Sequence, residues 1–194
     1  MDNQNTEMLS DDERFRLVPA LDAEEDQDAA SLIRLALVTG MRKGALLALK
    51  WEDCDFERSM ITLRGEAAKK GKTEHIPMTA AARSVLQSIH RQESPYVFPG
   101  RAGKQRTDYR RIARRVKRVA GLPEDFRPLH GLRHNYASQL ASTGEVDLYT
   151  IQKLLTHSSP QMTQRYAHLH DETLMKAASL TDSFLTPALE AKDD

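Results

Sequence analysis

The chain of 194 residues has one cysteine, Cys54, which excludes an intrachain disulfide and fits a reducing cytoplasm. Aromatic residues make up only 6%, so the core must be built mostly from Leu, Ile, Val and Ala. No apolar run is long enough to span a bilayer and no secretory signal pattern is present, so no membrane partner is expected. Repeats and low-complexity linkers are also lacking, which suits one domain with a sizeable core. Net charge is lacking too. The 28 Lys and Arg balance 28 Asp and Glu, which for the chain as a whole argues against a nucleic-acid partner.

The distribution of charge reverses that inference. Residues 1–30 hold 10 acids and 2 arginines, residues 181–194 hold 4 acids and 1 lysine, and residues 31–180 hold 25 basic against 14 acidic side chains. A basic body thus lies between acidic ends. Its densest block contains Arg106, Arg110, Arg111, Arg114, Arg115, Lys117 and Arg118, with Ile112, Val116 and Val119 as the expected buried stripe of a helix. A charged helix face is often only solvated. Here Asp108 is the sole acid of the block, and the face reads as a contact for a phosphate backbone.

Periodicity predicts helices over about 11–21, 27–38, 42–49, 79–92, 106–120, 130–143, 147–155, 160–168 and 171–185, with a small antiparallel sheet within 51–77. Ser10 and Glu13 form a capping box, leaving residues 1–9 as a disordered tail. Gly40 ends the second helix, Asp147 caps the seventh, and Ser159-Pro160 reads as N-cap and first residue of the eighth. Met60 to Leu63 alternate, and a second run, His75-Ile76-Pro77, follows the turn-forming Lys70-Gly71-Lys72. Lys69 stands at the lip of that hairpin, where a mobile cation can reach into a groove.

Chemistry concentrates in the last third. His130 and Arg133 share a face at the start of a helix, where exposed backbone N–H groups also favour an anion. His157 falls just past the next helix, and Tyr166 lies nine positions further on. Arg42 sits at a helix junction, well placed to fork onto phosphate oxygens. Read singly, a histidine at a helix start is a cap or a surface residue. His134 shares a face with His130, but the HxxxH pair lacks the adjacent Glu of a zinc hydrolase, and a structural role is assigned to it. His168 and His170 read as surface, Tyr136 and Tyr149 as core residues with hydroxyls reaching solvent, and Tyr96 as part of a buried extended segment.

Thr39-Gly40-Met41-Arg42-Lys43-Gly44, Trp51-x-Asp53-x-Asp55, Lys69-Lys70-Gly71-Lys72 with Ile76-Pro77, His130-Gly131-Leu132-Arg133-His134 and the segment from His157 to Leu169 stand in an order and spacing that resemble the catalytic domain of tyrosine recombinases, the phage integrase family. The resemblance covers roughly residues 9–186 and implies a mainly helical α+β fold with a small antiparallel sheet. It implies that Arg42 and Arg133 clamp the scissile phosphate and that Tyr166 attacks it to form a 3′-phosphotyrosyl bond. His130 would be the base, Lys69 the acid for the departing 5′-oxygen, and His157 a hydrogen-bond donor to the phosphate. The implied partner is double-stranded DNA, with no metal and no cofactor. A monomer in solution and a homotetramer on DNA, assembled through the C-terminal segment, are expected.

Two positions depart from the family pattern. Ala45 stands where many relatives carry an acid, so the hydrogen bond that orients the arginine or base histidine must come from elsewhere. Thr156 occupies a place usually taken by glycine, where a β-branched residue restricts the backbone. The implied layout is a catalytic domain over 10–186 and an acidic tail over 187–194, without the helical clamp domain that normally precedes it. A type IB topoisomerase shares the chemistry. A non-enzymatic DNA-binding or regulatory remnant is the alternative, suggested by the missing clamp and Ala45.

Overall fold

Ser10 opens the first helix as expected. Its hydroxyl accepts from the backbone N–H of Glu13 at 3.2 Å, and the Glu13 carboxylate accepts from the Ser10 N–H at 2.8 Å. The computed structural model describes residues 9–64, 72–170, 178 and 179, and in it α1 spans Asp11–Asp22. Leu9 is only 3% exposed and belongs to the core, so the folded body begins ahead of the capping box and not after it.

The second helix, α2 (Gln27–Thr39), is the spine. Asp26 caps it by accepting from Ala29 N at 3.0 Å, and Gly40 ends it in the left-handed conformation at φ 60°. Ala30, Leu32, Ile33, Leu35 and Ala36 are all buried, because other helices pack around it: α1, α3 (Lys43–Ala48), α4 (Ala80–Ser88), α5 (Arg110–Val119) and α6 (Pro128–Ser142). A helix apolar on most of its surface is stable only when enclosed in this way.

The sheet has the order β1 (Cys54–Asp55), β2 (Met60–Leu63), β3 (Glu74–Pro77), antiparallel throughout. Ile61 pairs with Cys54 on one side and Ile76 on the other, and the alternation along β2 buries Ile61 and Leu63. This confirms the hairpin; its turn, including Lys69, lies outside the described residues. Asp53 accepts from Lys50 N at 3.1 Å and from Arg64 Nε at 2.5 Å, tying the chain before β1 to the end of β2.

Three helices differ from expectation. The fourth stops at Ser88, not at residue 92, because Ile89 turns extended to bury its side chain. The chain after it returns with Val97 and Phe98 buried and Tyr96 bridged to Lys50. The fifth begins at Arg110, not at residue 106: Asp108 accepts from Arg110 N at 2.9 Å and Tyr109 is non-helical. Its buried stripe is Ile112, Ala113 and Val116, whereas Val119 is 62% exposed. The eighth shrinks to one turn, α8 (Gln161–Gln164), without the expected Ser159 side-chain cap, and is followed by a 3₁₀ turn over Ala167–His170. The expected last helix, 171–185, falls almost entirely outside the described residues.

Helix α6 joins two cores. Leu129 and Leu132 enter the main core around α2, while Ala137 and Ala141 form a second core with Ile151 and Leu155, contributed by α7 (Leu148–Leu154) and its C-cap, and with Tyr166. Tyr136 packs on that second core, but Tyr149 is 64% exposed and not a core residue. Gly131 permits the close approach of Phe126, whose Cε2 would lie 2.2 Å from a Cβ at that position.

Candidate active site

The seam between the two cores is where the candidate residues meet. A cleft of ≈ 680 Å³ is lined by Arg42, His130, Arg133, His134, His157 and Tyr166 together with basic neighbours including Lys43, Lys117 and Arg165. His130, Arg133 and His134 come from α6, Arg42 from the start of α3, His157 from the loop after α7 and Tyr166 from the turn after α8, and each is held by a specific contact.

Arg42 precedes α3, and both its anchors belong to Thr156. The guanidinium donates to the Thr156 hydroxyl at 2.7 Å and to the Thr156 carbonyl at 2.7 Å. Thr156 can offer both because α7 ends in a Schellman closure: His157 N–H bonds Gln152 O at 3.0 Å and Thr156 N–H bonds Lys153 O at 2.9 Å. That closure puts Thr156 at φ 51°, a left-handed conformation costing a non-glycine residue about 1–2 kcal/mol. The cap geometry expected of glycine is therefore kept, and the threonine hydroxyl becomes an arginine ligand.

Arg133, on α6, donates to Gly40 O at 2.7 Å and to Leu155 O, so it staples the C-terminus of α2 to that of α7. Burial first, and then the charge of Arg42, push Arg133 down to about 9, which leaves it protonated at neutral pH. Burial likewise lowers Arg42. The Glu74 carboxylate on β3 opposes both shifts without cancelling them, so two desolvated guanidiniums favour a further anion in the cleft.

His157 is buried, and its Nδ1 pairs with Thr163 Oγ1 at 2.7 Å. Burial and then the fields of Arg133 and Arg42 lower it to about 3, so it is neutral at pH 7. Tyr166 was expected on a helix. Instead, successive i→i+3 bonds, Tyr166 N to Thr163 O at 2.9 Å and Leu169 N to Tyr166 O at 3.1 Å, wind this segment tightly. The phenol is turned inward, 2% exposed, with burial raising it above the ordinary tyrosine value.

The phenol's partner is a residue to which the sequence pattern assigns only a structural role. Tyr166 Oη lies 2.6 Å from His134 Nδ1, and His134 Nε2 lies 2.9 Å from His130 Nε2. His130 therefore reaches the tyrosine through His134. The i, i+4 spacing of the two histidines, on the face that also carries Arg133, is the signal in the sequence that could have found it. Among the described residues no group of three or more His, Cys, Asp or Glu side chains could hold a metal ion.

The basic block is divided by the fold. Arg110, Arg111, Arg114 and Arg118 are exposed on α5. Arg115 turns inward to Glu24, a carboxylate only 8% exposed, with its Nε 3.0 Å from Oε2. Arg106 donates to Pro99 O at 3.2 Å and Lys117 to Phe126 O at 3.3 Å, so both also brace loops.

A helical body with a three-stranded antiparallel sheet is the fold of tyrosine recombinase catalytic domains. The sequence model of the phage integrase family matches residues 7–173, and the chain belongs to that family. Tyrosine recombinase XerC of Xanthomonas campestris pv. campestris (strain B100) is 35% identical over 178 residues, 88% of this chain and 53% of the relative. The catalytic domain of bacteriophage HP1 integrase matches in fold with a TM-score of 0.67 at 23% identity, over 89% of this chain and 93% of that one. The XerH site-specific recombinase, bound to its palindromic difH substrate in a post-cleavage complex, matches with a TM-score of 0.69 at 24% identity, over 90% of this chain and 53% of that one. The chain spans about half the length of the curated relatives it matches.

Proposed function

We propose that this chain is the catalytic part of a site-specific recombinase that cuts and rejoins double-stranded DNA through a 3′-phosphotyrosyl intermediate. The observation that carries this reading is the Tyr166 hydroxyl, 2.6 Å from an imidazole in a cleft that Arg42 and Arg133 also line. Arg42 and Arg133 bind the non-bridging oxygens and offset the charge that develops on them in the transition state. Tyr166 attacks phosphorus, His130 receives the phenolic proton, and Lys69 protonates the departing 5′-oxygen. His157, neutral and anchored by Thr163, donates from its other ring nitrogen to the phosphate. Because the phosphotyrosine conserves the bond energy, the 5′-hydroxyl of a second strand reverses the step without ATP.

DNA lies across the cleft and along the exposed arginines of α5, where Arg110, Arg111, Arg114 and Arg118 meet the phosphate backbone and Lys117, braced on the loop carbonyls, adds positive charge to the cleft wall. The complex of XerH with difH DNA supports a duplex partner. The protein acts in the cytoplasm, as a monomer in solution and as a tetramer on DNA through its C-terminal segment.

The test is covalent capture. A pool of nicked duplexes with randomised flanks, which trap the intermediate because the cut fragment diffuses away, should yield an adduct resistant to denaturing detergent. Tyr166→Phe should abolish it while leaving DNA affinity nearly unchanged, since one hydroxyl adds little to a phosphate-dominated interface. An adduct mapping to Tyr136 or Tyr149, or none at all with the unaltered chain, overturns the reading.

A further inference from the structure

We propose that His134 is the immediate acceptor of the Tyr166 proton and passes a proton on to His130, so that the two histidines of α6 act as a relay. The proposal rests on the strand-transfer reading above and alters the role of His134, for which a purely structural role was expected.

The described hydrogen bonds lead from the phenol to His130 through His134. The phenolic oxygen touches His134 Nδ1 at 2.6 Å, and the far nitrogen of the same ring meets His130 Nε2 at 2.9 Å, both within proton-transfer reach. The two rings lie edge to face with centroids 4.5 Å apart, as the i, i+4 spacing on one helix requires. A neutral His134 carrying its proton on Nε2 accepts from the phenol and donates to His130.

In the step, the Tyr166 Oη–H bond breaks and an Nδ1–H bond forms on His134. The His134 Nε2–H bond breaks and an Nε2–H bond forms on His130, while the oxygen's electron pair attacks phosphorus. His134 ends neutral as its other tautomer, and His130 ends as the imidazolium. Rejoining runs the same transfers backwards.

A relay suits this site because the charge cannot rest on His134. That ring is lowered to about 4 by burial and by the groups facing it: His130 and Arg133 on its own helix, Arg165 beside Tyr166, and Arg127 from the loop before α6. His130 is exposed, and water solvates a cation there at much lower cost. The nucleophile can therefore stay buried, away from hydroxide and stray electrophiles, while its proton leaves to the surface.

His134→Asn tests the idea. The asparagine amide can still accept from the phenol near the Nδ1 position, but it has no second ring nitrogen to pass a proton on. Single-turnover adduct formation, on duplexes captured by the unaltered chain, should slow by about 10²-fold or more. His130→Ala should slow it comparably, and the double variant should be no slower than the worse single one, as for residues acting as a unit. A 5′-bridging sulfur should rescue neither, since the defect lies in the nucleophile and not in the leaving group. Rates for His134→Asn within about threefold of the unaltered chain, a multiplicative double variant, or rescue by sulfur would each overturn the relay. An unaltered chain that forms no adduct sinks the strand-transfer reading instead. In that case ¹⁵N resonances of His134 decide the hydrogen bond alone: indifference to Tyr166→Phe removes the phenol–imidazole contact.

Discussion

Thr156 holds Arg42 through both of its oxygens, the hydroxyl and the carbonyl each 2.7 Å from the guanidinium. The contact spans 114 positions of sequence and joins the start of α3 to the end of α7. It explains how Arg42 is oriented although Ala45 supplies no acid: a neutral hydroxyl in a left-handed cap takes over that task.

Thr156→Ser keeps the hydroxyl, and adduct formation should stay within about twofold of the unaltered chain. Thr156→Gly relieves the backbone strain but deletes a hydrogen bond to a charged group, worth about 1.5–3 kcal/mol. Adduct formation should fall by about tenfold or more, while the melting temperature falls by only a few degrees because the relieved strain offsets most of the lost bond. Glycine and serine variants of equal activity would show that the carbonyl alone orients Arg42.

Arg115 and Arg114 are neighbours with opposite roles. Arg114→Glu should weaken binding to a nonspecific duplex and flatten its salt dependence, because one phosphate contact is replaced by a repulsion. Arg115→Ala should leave that affinity nearly unchanged and lower the melting temperature, since it strands the buried Glu24 carboxylate. Binding isotherms at several salt concentrations and thermal melts of both variants separate the two.

Acid should destabilise the domain through two histidines. His134 and His157 stand at about 4 and about 3 in the folded chain, below the ordinary value of 6.5. The unfolded chain therefore binds more protons below pH 6.5, and stability is lost as pH falls from there through the folded values. His157→Gln and His134→Asn should each flatten the slope of unfolding free energy against pH in that window by up to one proton. A slope unchanged in both variants assigns the acid sensitivity to carboxylates.

If Lys69 protonates the 5′-oxygen, a bridging sulfur, which leaves without an acid, should largely rescue Lys69→Ala but not Arg133→Ala. Equal rescue of both, or of neither, would take Lys69 out of that role.

Gly131 separates His130 from Leu132 and Arg133 and sits against Phe126. Gly131→Ala forces a methyl into the ring and should cost about 1–3 kcal/mol, roughly 2–4 °C in melting temperature for each kcal/mol. Adding Phe126→Leu should recover much of that loss. A single variant that melts like the unaltered chain would mean that Phe126 has room to withdraw.

Much of the architecture is legible in the sequence because it rests on local rules. The capping box at Ser10, the left-handed Gly40, the Asp147 cap and the alternation of Met60 to Leu63 each act over a few residues, and each stands where periodicity puts it. Arg42, His130, Arg133, His157 and Tyr166 are legible as a set because their types and order resemble one family, and the cleft brings all five together. What sequence alone does not decide is direction and depth. Arg115 points inward because Glu24, 91 positions away, waits there unsolvated. Tyr166 turns inward because the segment after α8 winds as 3₁₀ and not as α-helix, a difference of one hydrogen-bond step that only packing on the second core selects. The phenol meets His134 across 32 positions of sequence: which ring a hydroxyl touches is set by how two helix termini dock, and docking is a property of the whole core.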